Sequence, residues 1–199
     1  MSEKILVVPG IAITWNGGRL HPYLDRFFSD VQTYSYFIER SSAETNPAIK
    51  QVIPYIIISD SEDRIFTYRR IKGAGEQRLH SKISVGIGGH INENLFHSPK
   101  LSHTVFPPIS LAAWRELHEE LHLPSGYHSS QYIGLIYDDS DEVGSVHVGV
   151  CIQIELEEGC DLNQIHLKEV EKYEEVGWLP VVELLEMELE SWSRIALEG

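Results

Sequence analysis

Six consecutive residues, Arg115-Glu116-Leu117-His118-Glu119-Glu120, put three carboxylates and a guanidinium within two turns of any helix they form. At about 100° per residue, with Glu116 at zero, Glu120 falls near 40° and Glu119 near 300°, so the three acids share a face. Ala113, Trp114, Leu117 and Leu121 occupy a separate stripe between about 60° and 160°, which can dock on a sheet while the acids stay accessible. Like charges at these spacings repel by a few tenths of a kcal/mol per pair. A hard divalent cation such as Mg²⁺ or Mn²⁺, which prefers carboxylate and water oxygens, is the natural compensation. The alternative is an ordinary solvated helix face, which is what most charge runs are. Arg115, one turn from Glu119, is placed to orient a carboxylate by charge-assisted hydrogen bonds.

Other residues carry compatible chemistry. The apolar run Ile83 to Ile87 ends in Gly88-Gly89-His90, where paired glycines let a backbone turn sharply and approach a ligand. His90 is a candidate contact to phosphate or base, or an incidental turn histidine. Arg69 and Arg70, with Lys72, Arg78 and Lys82, form a basic patch in an acidic chain, suited to phosphate or serving as a solvated hairpin end.

These residues need elements to hold them. Ser110 is a plausible N-cap for a helix from Leu111 to about His122, stopped by Pro124 and Gly126. Strand patterns cover Pro54 to Ser59 and Ile65 to Tyr68, joined through Asp60-Ser61-Glu62-Asp63, and resume at Tyr132 to Tyr137 and Val146 to Leu156. Glu183 to Leu197 reads as an amphipathic helix. Residues 92–109, with three prolines and two histidines, form a long irregular stretch expected near the site. The first 50 residues read as an N-terminal extension packed on a main domain spanning 51–199, with aromatics from Tyr23 to Phe37 and a polar cluster, Ser41 to Pro47.

The 199 residues, 42% hydrophobic and 23% charged, describe an ordinary globular chain. A net charge of -14 argues against a nucleic-acid polymer as partner, since such binding rests on Lys and Arg meeting phosphates. No apolar stretch is long enough for a bilayer, and the short run Ile5 to Val8 is not a secretory signal, so a cytoplasmic location is expected. Cys151 and Cys160 lie in no ligand pattern and read as reduced thiols.

The segment Arg115 to Leu123 resembles the second half of the Nudix box, G-x5-E-x7-R-E-U-x-E-E-x-G-U with U aliphatic, in its Arg, three Glu and both aliphatic positions. Gly89 is the counterpart of the opening glycine. The words Gly86 to Asn92 and Glu142 to Gly149 resemble a bacterial branch of predicted phosphoesterases. There are three departures. Arg115 lies 26 positions after Gly89, about 12 more than the pattern allows, a loop insertion. Pro107-Pro108 stands where a Glu is usual, and His122 replaces a glycine at a position that can demand a left-handed backbone.

The resemblance implies an α+β fold, the Nudix α/β/α sandwich with a mixed sheet, plus the N-terminal extension. It implies Mg²⁺- or Mn²⁺-dependent hydrolysis of a diphosphate linkage in a small nucleoside diphosphate-type substrate. Glu116, Glu119 and Glu120 would hold the metal, Arg115 would orient a carboxylate, and the Gly88-Gly89 backbone would shape the site. The base would be a box Glu, Glu119 included, or an acid of Asp138-Asp139-Ser140-Asp141-Glu142, with Glu142 first, unless that run is merely an acidic turn. His147 reads as buried and hydrogen-bonded. Many relatives are dimers, and the aromatic N-terminal segment offers surface for a homodimer. A non-catalytic nucleotide-sensing module is the competing reading. An isopentenyl diphosphate isomerase ranks last, because no cysteine lies near Gly88-Gly89-His90.

Overall fold

The computed structural model describes residues 3–12, 19–71, 82–94, 107–124, 127–140 and 142–199. Its centre is strand β4, Ile49–Ser59, buried at every position. Counting along the chain, it follows β1 (Lys4–Pro9), β2 (Arg19–His21), α1 (Leu24–Tyr34), β3 (Tyr36–Glu39) and α2 (Arg40–Ala43). After it come β5 (Arg64–Arg70), β6 (Ile83–Ser84), β7 (Gly86–Gly88), α3 (Pro107–Glu120), β8 (Leu121–His122), β9 (Tyr127–Tyr137) and β10 (His147–Leu156). The chain closes with β11 (His166–Leu167), β12 (Tyr173–Pro180), α4 (Val181–Leu184) and α5 (Ser191–Glu198). The sheet runs β12-β5-β4-β10-β9-β2, mixed because β10 lies parallel to β4 while β9 and β12 are antiparallel to their neighbours.

Strand alternation divides the core. Val52, Ile56 and Ile58 of β4 join Phe27 and Val31 of α1 and Ile109, Ala112 and Leu117 of α3 on one side. Tyr55 and Ile57 pack with Ile195 and Ala196 of α5 on the other. This is an α/β/α sandwich, as the resemblance implied. A run buried on both faces reads as continuous hydrophobicity, which is why Ile56-Ile57-Ile58 lacks polar alternation.

The edge of β4 away from β10 is interrupted. β1 pairs with residues 49 to 51 and β7 with 55 to 57, leaving a gap around Pro54. The Pro54 carbonyl points to that side, since a Cβ on Gly88 would come within 2.5 Å of it. N and O of one strand residue face the same way, so the donor that proline lacks falls where the ladder is already broken.

Several boundaries differ from expectation. Helix α3 starts at Pro107, with both prolines in its first turn, where a missing N–H costs little. Ser110 is therefore inside the helix, not at its cap, and its Oγ lies 2.6 Å from the Tyr132 hydroxyl. The helix stops at Glu120 because Leu121 and His122 turn extended to pair with Leu167 and His166. His122 thus escapes the left-handed backbone; among described residues only Asp63, besides glycines, has positive φ. The 50/51 boundary falls within β4, β1 and β2 are strands of the sheet, and α1 enters the core. Most of the 92–109 loop, residues 95–106, lies outside the described residues, and no described helix is long and apolar enough to cross a membrane.

Leu117 is fully buried in the middle of α3. Leu117→Ala is expected to lower unfolding free energy by about 2–5 kcal/mol, read by urea denaturation. A loss well under 1 kcal/mol would show that α3 is not anchored as described.

Candidate active site

The turn after β7 and helix α3 meet at van der Waals limit. A Cβ on Gly89 would stand 2.1 Å from Glu116 Oε1, so any other residue would displace that carboxylate. Arg115 ties the same two elements: its Nη2 donates to the His90 carbonyl at 2.7 Å and to Glu116 Oε1, and its Nη1 donates to Glu119 Oε2 at 3.2 Å. With no box Glu before the helix, the His90 carbonyl supplies the anchor that aims Arg115. Beyond the site, Lys168 closes the end of α3, its N–H bonding the Glu120 carbonyl at 2.8 Å and its ammonium the His118 carbonyl. A cation there suits the negative end of the helix dipole.

A cleft of about 510 Å³ opens against this unit. Of the residues singled out in the sequence, Gly88, Gly89, His90, Glu116, Glu120, Arg70 and His147 line it. Arg115 stands behind the lining. Glu119 does not line the cleft: its side chain is 58% exposed and engaged by Arg115 at the helix surface. The expected convergence of three carboxylates is therefore a convergence of two. Among described residues no three His, Cys, Asp or Glu side chains stand grouped for a metal ion.

Arg69 and Glu142 are not brought to the cleft either. Successive strand residues face opposite ways, and Arg69 pairs across the sheet with Glu174 at 3.1 Å while Arg70 turns inward. Glu142 is exposed, though the next residues, Val143 and Gly144, form part of the wall. Asp138 of the same acidic run is buried and spends Oδ1 on the Ser140 N–H at 3.0 Å, a turn role. Lys72, Arg78 and Asp141 lie outside the described residues; Lys82 is described, and does not line the cleft.

The electrostatics follow from burial. Glu120 is pushed up to about 7 by burial and then by Glu116, against the pull of Arg70 and Lys172. Glu116 is raised as well, by burial and Glu119 against Arg115. Burial, with Arg40, His147 and Arg115 nearby, drives the His90 imidazole down to about 3, so it is neutral at pH 7. His147, its ring centroid 5.8 Å from that of His90, is lowered by burial too. Its Nδ1 lies 2.7 Å from the Val143 carbonyl, which can only accept, so Nδ1 carries the hydrogen and Nε2 the lone pair.

A divalent ion fits this donor set in part. Glu116 and Glu120 present hard oxygens in one cleft, and no hydrogen bond reaches the Glu120 carboxylate from the described residues. Two carboxylates with water and phosphate completing the shell is how Mg²⁺ is usually held.

Lining residues that carried no sequence signal include Arg40 from the N-terminal segment, Lys172 before β12, Tyr55 in β4, and Glu190 and Trp192 near α5. Each arrives through tertiary structure from a stretch whose local pattern reports only an element.

Comparison places this geometry. No family model matches the chain. The solved structure of Tm1382, described as a Nudix hydrolase, superposes with a TM-score of 0.75 at 25% identity, covering 98% of this chain and 97% of that one. DR0079 from Deinococcus radiodurans, 14% identical with a TM-score of 0.50, shares the fold over 96% of this chain and 97% of its own. With the glycine turn and acidic helix in place on this sandwich, the chain belongs to the Nudix hydrolase superfamily. Among curated proteins it is similar to Protein YmaB of Bacillus subtilis (strain 168), 36% identical over 167 residues, 81% of this chain and 76% of the relative.

Glu120 binds its proton more tightly folded than unfolded. The stability it contributes is full below pH 4.5 and lost as pH rises through about 7. In chelator-treated protein, the melting temperature of Glu120→Gln relative to wild type is therefore expected to climb between pH 4.5 and about 7 and then level off. A difference independent of pH, read by thermal melts, would refute the burial of this charge.

Proposed function

We propose that the chain hydrolyses the diphosphate linkage of a small nucleoside diphosphate-type substrate, with Mg²⁺ or Mn²⁺ as cofactor. The observation that carries this reading is Glu120, a carboxyl lining the cleft beside Glu116, raised to about 7 and met by no donor among the described residues. Such a group favours a cation. Glu116 and Glu120 would hold the ion, with Glu119 the third carboxylate of the set, engaged by Arg115 in this conformation. When bound, the ion supplies Lewis acidity and charge neutralisation at phosphate.

The chain's own residues do the remaining work. Arg115 keeps Glu116 aimed at the cleft while the Gly88-Gly89 backbone leaves room beside it. Arg70 offers a guanidinium to phosphate oxygens, a geometry in which Arg exceeds Lys. His90, neutral at pH 7, donates from Nε2 to Gln51 Oε1 at 2.8 Å, which leaves Nδ1 to accept a hydrogen bond without adding charge. Glu142 is the acidic-loop candidate for taking the proton of attacking water; its side chain is exposed, next to Val143 and Gly144 of the cleft wall. His147 already lines it with an unprotonated Nε2. The exposed rings of Tyr23, Tyr34 and Tyr36 support a homodimer, which light scattering on a sizing column checks.

The test is turnover across a panel of nucleoside diphosphate derivatives with Mg²⁺ or Mn²⁺. Some member is expected to yield nucleoside monophosphate or phosphate, and Glu120→Gln should cut kcat by about 100-fold or more. Arg70→Ala should act mainly on KM. No turnover on a broad panel with either ion would overturn the proposal.

A further inference from the structure

Glu190 is 5% exposed, lines the cleft and lies far from the acidic helix in sequence. Its backbone is zipped to β6: the Glu190 N–H bonds the Ile83 carbonyl and the Ile83 N–H bonds the Glu188 carbonyl, both at 3.0 Å. Its two carboxylate oxygens have different surroundings. Oε1 lies 2.9 Å from the Tyr55 hydroxyl, 2.7 Å from Ser84 Oγ and 3.1 Å from Ser193 Oγ. Among the described residues, Oε2 has one neighbour of opposite charge, Arg70 Nε, at 3.8 Å. Three hydroxyls converging on one oxygen leave the other free to act on the guanidinium.

Arg70 needs such a partner. Its side chain is 21% exposed, its Nε is buried with no hydrogen bond, and its head sits 5.4 Å from the Tyr173 ring centroid and 6.0 Å from that of Tyr68. Nη1 reaches the Tyr173 hydroxyl at only 3.4 Å. The other carboxylate that attracts it is Glu120, also in the cleft lining. A buried charge without a partner is costly, so the Arg70 rotamer depends on which carboxylate holds it.

We infer that Glu190 is a positioning residue: through its free oxygen it retains Arg70 in the cleft wall, and it acts on an anionic ligand only by way of that guanidinium. The inference rests on the reading of Arg70 as a phosphate contact. Glu190 also begins α5, its carbonyl accepting the Arg194 N–H at 3.1 Å, so a purely structural role is the rival.

Epistasis separates the two. The full chain is titrated calorimetrically with inorganic pyrophosphate in Mg²⁺, as wild type, Glu190→Gln, Arg70→Ala and the double variant, with melting temperatures measured alongside. Glu190→Gln keeps the volume and an oxygen for the hydroxyls. It is expected to weaken pyrophosphate about tenfold, with the double variant no weaker than Arg70→Ala alone. Losses that multiply in the double variant, wild-type affinity in Glu190→Gln, or no binding by wild type would each overturn the inference. Should Glu190→Gln fail to fold, Glu190→Asp, which withdraws the charge from Arg70 without removing it, must show a smaller loss that is likewise absent in the Arg70→Ala background. Failure of the hydrolase reading looks different: pyrophosphate binding and its epistasis persist while no nucleotide is turned over.

Discussion

Between the Gly89 backbone and the Glu116 carboxylate there is no room for a methyl group, and the rest of the cleft is arranged around that approach. The contact exists because β7 ends in a residue without Cβ while α3, anchored by Leu117 and Ala112, brings Glu116 over the turn. Arg115 then fastens the two by bonding a backbone carbonyl on one side and carboxylates on the other. A charged side chain thus does between helix and turn what a hydrogen-bonded ladder does between strands. Interiors are dense enough that a shift on one side passes directly to the other.

The charge distribution has the same logic. A chain of net charge -14 would repel an anionic substrate if its field were uniform. Within the cleft it is graded: Arg70 and Lys172 stand toward Glu120, Arg115 behind Glu116, and Arg40 near His90 and His147. The acid pair, Glu116 and Glu120, thus stands among cationic side chains that offset part of its charge.

The parts legible in the sequence were those encoded by short spacing. The apolar stripe of α3 and the glycine pair depend on neighbours a few residues apart, and both lie where pattern placed them. Glu119 shares the wheel face but not the cleft lining, because a wheel reports angle and not the bond that Arg115 makes to it. Arg69 and Arg70 looked equivalent as adjacent cations, yet one strand residue separates inside from outside. The end of α3 at Glu120 was hidden because His122 and His166 pair through extended backbone across a long stretch of chain. Glu190, Tyr55 and Trp192 could not be found, since their meeting is a property of topology.

That topology orders events in time. β4 and β10 lie side by side in parallel register, His147 against Gln51 through Glu155 against Ser59, so nearly half the chain must be looped out before they meet. Such closures are entropically slow, and pairs of this kind form late relative to local helices and hairpins. Glu3 and Trp192 border the same opening, at opposite reaches of the sequence. The acidic helix is a local structure, while the cleft it serves exists only once distant parts of the chain have met.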